Sequence, residues 1–161
     1  MKNYVIMLLA VWGTFLLQGC DKDDDVDVAA PPSAVQAAFD AKYPNCYAEW
    51  EMEKATNKYK ADFHYYGTHA EWNVALSTEA NAWYMPDGTW EKTNFEVTYL
   101  YRNPSDQFIS SAVRTTVAQL AGGREIDLDA VDTPAQDYFL LEVDAEPHDL
   151  YYNIDFEGKQ F

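Results

Sequence analysis

The side chains of this chain that are able to do chemistry are three histidines, a few serines and a large excess of carboxylates. His64, His69 and His148 show no spacing that gathers three or four metal ligands. His64 and His69 flank Gly67 and are able to face each other across a hairpin, but two imidazoles make a poor zinc site, and both read as surface histidines beside a turn. Ser105, Ser110 and Ser111 sit in or just before a helical pattern, where capping explains them, and no Gly-x-Ser-x-Gly surrounds any of them. Asp127 and Asp129 would suit acid-base work if they converged in a pocket. They alternate with Ile126 and Leu128, so they mark the wet face of a strand. Asp21, Asp23 and Asp25 alternate as in a calcium loop, but the sixth position is Val26 instead of glycine and the twelfth is Pro32 instead of glutamate. The residues therefore point to no catalytic set, no metal and no cofactor, and the chain reads as a non-enzyme.

One residue does carry chemistry. Lys2 precedes an apolar run, Tyr4 to Leu17, that is too short to span a bilayer comfortably and reads as a signal peptide over residues 1–19. It ends in Leu17-Gln18-Gly19-Cys20, which resembles a lipobox, although Gln18 is bulkier than the usual residue there. The Cys20 thiol is then the nucleophile that acquires the lipid; cleavage by ordinary signal peptidase is the competing route. Acyl chains at ~0.8 kcal/mol per buried methylene make such anchoring stable. Residues 20–32, from Asp21-Lys22-Asp23-Asp24-Asp25 to Pro31-Pro32, have too little apolar mass to pack and read as a solvated acidic tether. The lysine and acidic run behind the cysteine also resemble the surface-export signal of Bacteroidetes lipoproteins, which implies an outer-membrane lipoprotein facing outward.

Residues 33–161 suffice for one domain with a real core, since 48% of the chain is hydrophobic and 16% aromatic. The formal net charge is −16. Nucleic acid and anionic lipid surfaces are thereby excluded as partners, because an acidic surface repels phosphate, and a basic or cationic partner is favoured. With Cys20 consumed by lipid, Cys46 has no mate and reads as a small buried filler or a shielded thiol.

The elements that must position these residues follow from an internal repeat at an offset of 78, which puts Val35 on Val113 and Phe39 on Val117. In the same frame Ala48, Trp50 and Met52 fall on Ile126, Leu128 and Ala130, and Ala61, Phe63 and Tyr65 fall on Phe139, Leu141 and Val143. Trp72, Val74 and Leu76 fall on Leu150, Tyr152 and Ile154. Beyond Leu76 the copies diverge: Asp87-Gly88 matches Glu157-Gly158 only if the first copy holds eight extra residues, so Ser77 to Met85 is expected as a loop or extended hairpin. Each copy opens with a helix. The first begins after Pro32 with Ser33 as N-cap and stops at Tyr43-Pro44; the second runs from near Asp106 to Ala121, with Phe108, Ile109, Ala112, Val113, Val117 and Leu120 inward, and ends at Gly122-Gly123. Strands of period two follow, and the alternation of Phe95, Val97, Tyr99 and Tyr101 predicts a long strand linking repeat one (33–97) to repeat two (106–161). The expected fold class is α+β: two tandem helix-plus-antiparallel-strand repeats forming one continuous sheet with helices on one face.

A helix ending in Tyr43-Pro44, a strand with Trp50, the segments Tyr59–Tyr65 and Trp72–Leu76, and Asp87-Gly88-Thr89-Trp90 with Thr93, all behind a lipobox, resemble the PepSY-like family of Bacteroidetes lipoproteins. That family is similar in fold to the β-lactamase inhibitor protein. The second copy departs from the pattern, with Leu120-Ala121 and Ser110 where the first has Tyr43-Pro44 and Pro32. The resemblance implies a binding or inhibitory role outside the cytoplasm and no inherited catalytic residue. In the inhibitor fold the exposed sheet face carries the partner contacts.

The aromatic residues are too many for one inner face, so some must be exposed. Trp50, Phe63 and Trp72 follow the inward register, which leaves Tyr66, Tyr84, Tyr99 and Tyr101 as the candidate partner-binding residues, although Tyr99 and Tyr101 are equally able to cover the helices. The expected function is a cell-envelope module binding an envelope or extracellular protein, as a hydrolase inhibitor would. The alternative is a carbohydrate-binding accessory of a nutrient-uptake system.

Overall fold

The computed structural model describes residues 26–28 and 30–161; Cys20 and the expected signal peptide lie outside the described residues. Among the described residues eight strands form one sheet in which every neighbour is antiparallel and spatial order follows chain order. They are β1 (Val26–Val28), β2 (Ala48–Glu53), β3 (Lys58–His69), β4 (Val74–Tyr84), β5 (Trp90–Glu96), β6 (Ile126–Asp132), β7 (Tyr138–Val143) and β8 (Leu150–Ile154). Helix α1 (Ser33–Lys42) lies between β1 and β2, while α2 (Thr98–Arg102) and α3 (Ser111–Ala121) lie between β5 and β6. The expected α+β class, with one continuous sheet and helices on one face, is what the chain adopts.

The core sits between the sheet and the helices, and one row of residues across the sheet shows how it is filled. Register places Ala48 beside Phe63, Phe63 beside Ala80, Ala80 beside Phe95, Phe95 beside Ala130, Ala130 beside Phe139, and Phe139 beside Ile154. A phenylalanine on every second strand leaves the width of an alanine between successive rings, and Ile154 closes the row beyond Phe139. Helix α1 packs onto this row through Phe39, whose ring meets Phe63, Trp50, Tyr43 and Tyr84. In the second half Phe108, Phe139 and Phe156 form the corresponding cluster, and Trp72 joins it to Phe95.

Helices α1 and α3 are held by the same device. After β4 a turn bonds Gly88 N–H to the Met85 carbonyl and Met85 N–H to the Thr89 carbonyl; after β8 Gly158 N–H and Asp155 N–H bond in the same pattern to Asp155 and Lys159. Gly88 and Gly158 have φ of 90° and 87°, conformations that favour glycine. A Cβ on Gly88 would lie 2.7 Å from the Ala34 carbonyl oxygen, and one on Gly158 would lie 2.7 Å from the Ala112 backbone. Ala34 and Ala112 are repeat mates at the offset of 78, so each turn presses on the same point of its own helix.

Several expectations are corrected. Val26–Val28, inside the supposed tether, pairs with Glu51–Glu53 as an edge strand, so backbone hydrogen bonding enlists residues with little apolar mass. Ser33 is the first helical residue behind Pro32 and makes no cap bond. Of the two readings of Ser77 to Met85, the extended hairpin holds: β4 runs through Ser77 to Tyr84, and the first copy's extra length extends the β3–β4 hairpin. The alternation after Phe95 stops at Val97, whose N–H bonds the Leu128 carbonyl, and Tyr99 and Tyr101 belong to α2. Helix α3 starts later than expected because the Asp106 carboxylate takes the Phe108 N–H and Ser110 Oγ caps Val113 N–H. Arg114 then fixes the connection by donating to the carbonyls of Leu100, Tyr101, Asn103, Asp106 and Ile109. Ala112 and Leu150, expected inward, are exposed.

Two tests follow from this packing. Ala80→Leu or Ala130→Leu fills a gap between phenylalanines and should cost about 1–3 kcal/mol in urea unfolding, whereas Ala37→Leu on the exposed side of α1 should cost almost nothing. Gly88→Ala and Gly158→Ala should each lose about 2–3 kcal/mol, through strain and collision together. Gly122→Ala, with φ of 58° and open space around it, should lose only about 1 kcal/mol.

Candidate functional site

Two polar regions distinguish the molecule, one under the helices and one on the opposite face of the sheet. The first is a seam where α1 meets the second repeat. Asp132, at the end of β6, is buried and takes the Lys42 ammonium at 3.1 Å and the His69 Nε2 at 3.4 Å. His69 stacks on Trp72 with ring centroids 3.7 Å apart, and its Nδ1 accepts the Trp72 backbone N–H, which leaves Nε2–H to donate to Asp132. Lys42 Nζ also lies 3.5 Å from the centre of the Trp90 ring, and Trp90 Nε1–H donates to Thr93 Oγ1, which hydrogen-bonds the buried Tyr43 hydroxyl. Burial alone would raise the Asp132 pKa, but the hydrogen bonds from His69 and Lys42, with their charges, outweigh it and hold the carboxyl below its ordinary value. Burial pushes the Tyr43 hydroxyl far above the usual tyrosine range.

Beside the seam, Glu71, Asp132 and Asp137 bring one oxygen each within 4.8 Å of one another, the kind of grouping that holds a cation. The donors present already occupy it. Asp132 has Lys42 and His69, while Asp137 accepts Trp72 Nε1–H at 2.7 Å and Thr133 N–H at 2.9 Å. The arrangement ties the two repeats together. His69 is accordingly a buried member of this seam, not the surface histidine expected, whereas His64 is exposed beside Glu79 and Ser77.

The second region is the open face of the sheet, on which no helix packs among the described residues. In its first half opposite charges neutralise each other: Lys60 bonds Asp62 at 2.9 Å and Glu51 at 3.6 Å, and Lys58 bonds Glu91 at 2.6 Å. Trp83 donates its Nε1–H to Glu53, and the Lys92 ammonium lies 4.2 Å from its ring centre. Burial lowers the Lys92 pKa. In the second half, register sets Glu96 opposite Asp129 and Asp127 opposite Glu142. Asp129 is not simply solvated as expected: burial raises its pKa, the hydrogen bond from Asn94 Nδ2 opposes this, and the charges of Glu96, Asp127 and Glu142 raise it further. Asn94 and Val131 face each other in the middle of this surface and are both buried, with Tyr138 and Leu140 alongside on β7.

The four tyrosines chosen from sequence are scattered. Tyr66 stands on the open face and is 84% exposed. Tyr84 is fully buried against Phe39 and Trp50, so it is core and no part of a surface. Tyr99 is exposed on α2, and Tyr101 is half-buried under Arg114. Trp83, Tyr138 and Leu140 were missed. The clue was present: aligning Asp87-Gly88 with Glu157-Gly158, an offset of 70, puts Tyr84 on the buried Ile154 and hence turns Trp83 outward.

With that geometry in view, comparison with solved structures gives a consistent answer. A DUF2874 family protein from Bacteroides ovatus is similar with a TM-score of 0.63 at 17% identity, over 82% of this chain and 85% of that one. A BLIP-like protein from Bacteroides fragilis matches with a TM-score of 0.61 at 20% identity, over 83% and 84%. A protein ascribed to the periplasm of Bacteroides eggerthii matches with a TM-score of 0.62 at 19% identity, over 82% and 86%. The chain shares their fold. No protein-family model matches it, and neither does any curated protein. None of these neighbours carries an enzymatic name, and among the described residues no helix is long and apolar enough to cross a membrane.

The seam makes a definite pH prediction. Because the folded-state pKa of Asp132 lies below its ordinary value, its contribution is complete above about pH 4 and is lost as pH falls through the folded value. Asp132→Asn should cost about 2 kcal/mol in urea unfolding at pH 7, with allowance for the partial exposure of Lys42. The gap between the two proteins should narrow steadily as pH falls below about 4; a gap independent of pH would show that the pair contributes nothing.

Proposed function

We propose that this protein is a non-catalytic binding module of the bacterial cell envelope, anchored through a lipid on Cys20, whose open sheet face engages a protein partner in the manner of a hydrolase inhibitor. One observation carries the reading. Among the described residues a sheet of eight strands has its helices on one face only, and the other face holds the half-buried Trp83, Tyr138 and Leu140 among charged residues, around the buried Val131. Such a mixture of aromatic, aliphatic and charged side chains on a rigid surface suits a protein interface. The BLIP-like character of one structural neighbour and the periplasmic ascription of another support the same reading. On the open face Ser77 Oγ lies 3.3 Å from His64 Nε2, whose Nδ1 meets Glu79 at 3.2 Å, but all three side chains are exposed to solvent, where water screens the contacts that a hydrolytic triad needs protected.

A glycan platform is less well supported. The two most exposed tyrosines of the open face, Tyr66 and Tyr151, stand on β3 and β8 with four strands between them, so they form no shared stacking surface.

The reading is tested by site-specific photocrosslinking in cells that express the chain. A crosslinker at Tyr66, Glu79 or Leu140 should give a discrete protein adduct, whereas the same group at Ala37 or Thr115 on the exposed sides of the helices should give none. Adducts from the helix positions alone would show that the helix layer is the binding face and would overturn the proposal.

A further inference from the structure

On the open face, the second repeat places two like-charged pairs side by side, Glu96 opposite Asp129 and Asp127 opposite Glu142. Like charges directly across strands are destabilising. Among the described residues none of the four carboxylates forms an ion pair, although the first repeat neutralises its own acids with Lys58 and Lys60. Lys92, two residues before Asn94 on the same strand, is held over the Trp83 ring and forms no ion pair with any of them.

A second, independent feature points to something absent from the chain itself. Asn94 is only 6% exposed and lies against Asp129 through its Nδ2, yet its Oδ1 is buried without any hydrogen-bond partner. A buried polar atom without a partner costs free energy comparable to a lost hydrogen bond. The patch is therefore dominated by acceptors: four carboxylates and an orphan amide oxygen, against which the chain sets only the Asn94 Nδ2 on Asp129 and the Tyr151 hydroxyl on Glu142. A single metal ion does not answer this need, since among the described residues only Glu71, Asp132 and Asp137 gather three ligand atoms within 4.8 Å. The acceptors are instead spread over three strands, which suits a forked, planar donor reaching several oxygens at once.

We propose that the patch formed by Glu96, Asp127, Asp129 and Glu142 around Asn94 is the specificity site of the open face and receives an arginine side chain of a protein partner. The inference rests on the open face being the binding face and adds the chemistry of the partner. Leu140, cross-strand neighbour of Asp129, and Tyr151, neighbour of Glu142, flank the charges with surface able to cover the aliphatic stem.

The test uses the full chain and a hexa-arginine peptide, read by nitrogen-15 chemical shifts at low and moderate salt, with hexa-lysine and calcium chloride as competitors. The Asn94 side-chain amide and the Asp127 and Asp129 backbone amides should shift saturably with hexa-arginine. Asp129→Asn and Glu96→Gln should each weaken binding roughly tenfold. Glu49→Gln on β2 should leave it within about twofold. Asp129→Asn keeps an acceptor for Asn94 and removes a like charge, so it should raise the midpoint of thermal unfolding while lowering affinity, a combination that a purely structural role would not give. Shifts spread evenly over all acidic residues, unchanged affinity in Asp129→Asn, or saturation of the same resonances by calcium at lower concentration would each overturn the proposal. Open-face crosslinks with a peptide that ignores the patch would remove only this inference; saturable peptide binding with helix-face crosslinks alone would remove the wider reading.

Discussion

A steric constraint on one line of the sheet governs the rest of the molecule: phenylalanines on alternate strands, separated from one another by alanines. The row from Ala48 through Phe63, Ala80, Phe95, Ala130 and Phe139 to Ile154 crosses seven of the eight strands. Protein interiors are packed to crystalline density, so the gaps are as necessary as the rings. Because side chains alternate along each strand, fixing this row also fixes which residues lie under the helices and which are left on the other side. The composition of the open face is a consequence of the core.

The seam depends on the same row. Phe95, in its middle, touches Tyr43 and Tyr65 on one side and His69 and Trp72 on the other, so the aromatic clusters of the two repeats meet there. Lys42, Asp132 and His69 sit beside this junction and convert apolar contact into a directed one, since an ion pair at a protected position tolerates little displacement. Both halves of the sheet are thereby tied at one place on the side opposite the open face.

Much of the architecture was legible because it rests on local periodicity. Alternation at Ala61, Phe63 and Tyr65, the stop at Tyr43-Pro44 and the turns at Asp87-Gly88 and Glu157-Gly158 are properties of neighbouring residues, and each is found as read. The failures have equally specific causes. Phe95, Val97, Tyr99 and Tyr101 alternate like a strand, but Leu128 supplies partners to Val97 and Thr98 and bends the chain into α2. Tyr84 was taken for a surface residue because the extra length of the first hairpin hid its register. His69 and Asp132 are polar residues on the core face, made tolerable by partners distant in sequence, and period-two reasoning has no means of pairing them. The charged open face was visible as alternation, but the cross-strand pairing of Glu96 with Asp129 was not.

The glycine turns have a consequence for how such a chain varies. The helices are related by an offset of 78 and the turns that grip them by 70, so a length change lies wholly between the two fixed points, within the β3–β4 hairpin. Its strands, at 12 and 11 residues, are about twice as long as β7 and β8, at 6 and 5. Paired strands accept additions in steps of two residues each without turning any side chain over. The hairpin is thus an arm of adjustable length on a clamped base, and its reach is able to drift between relatives while the core stays constant.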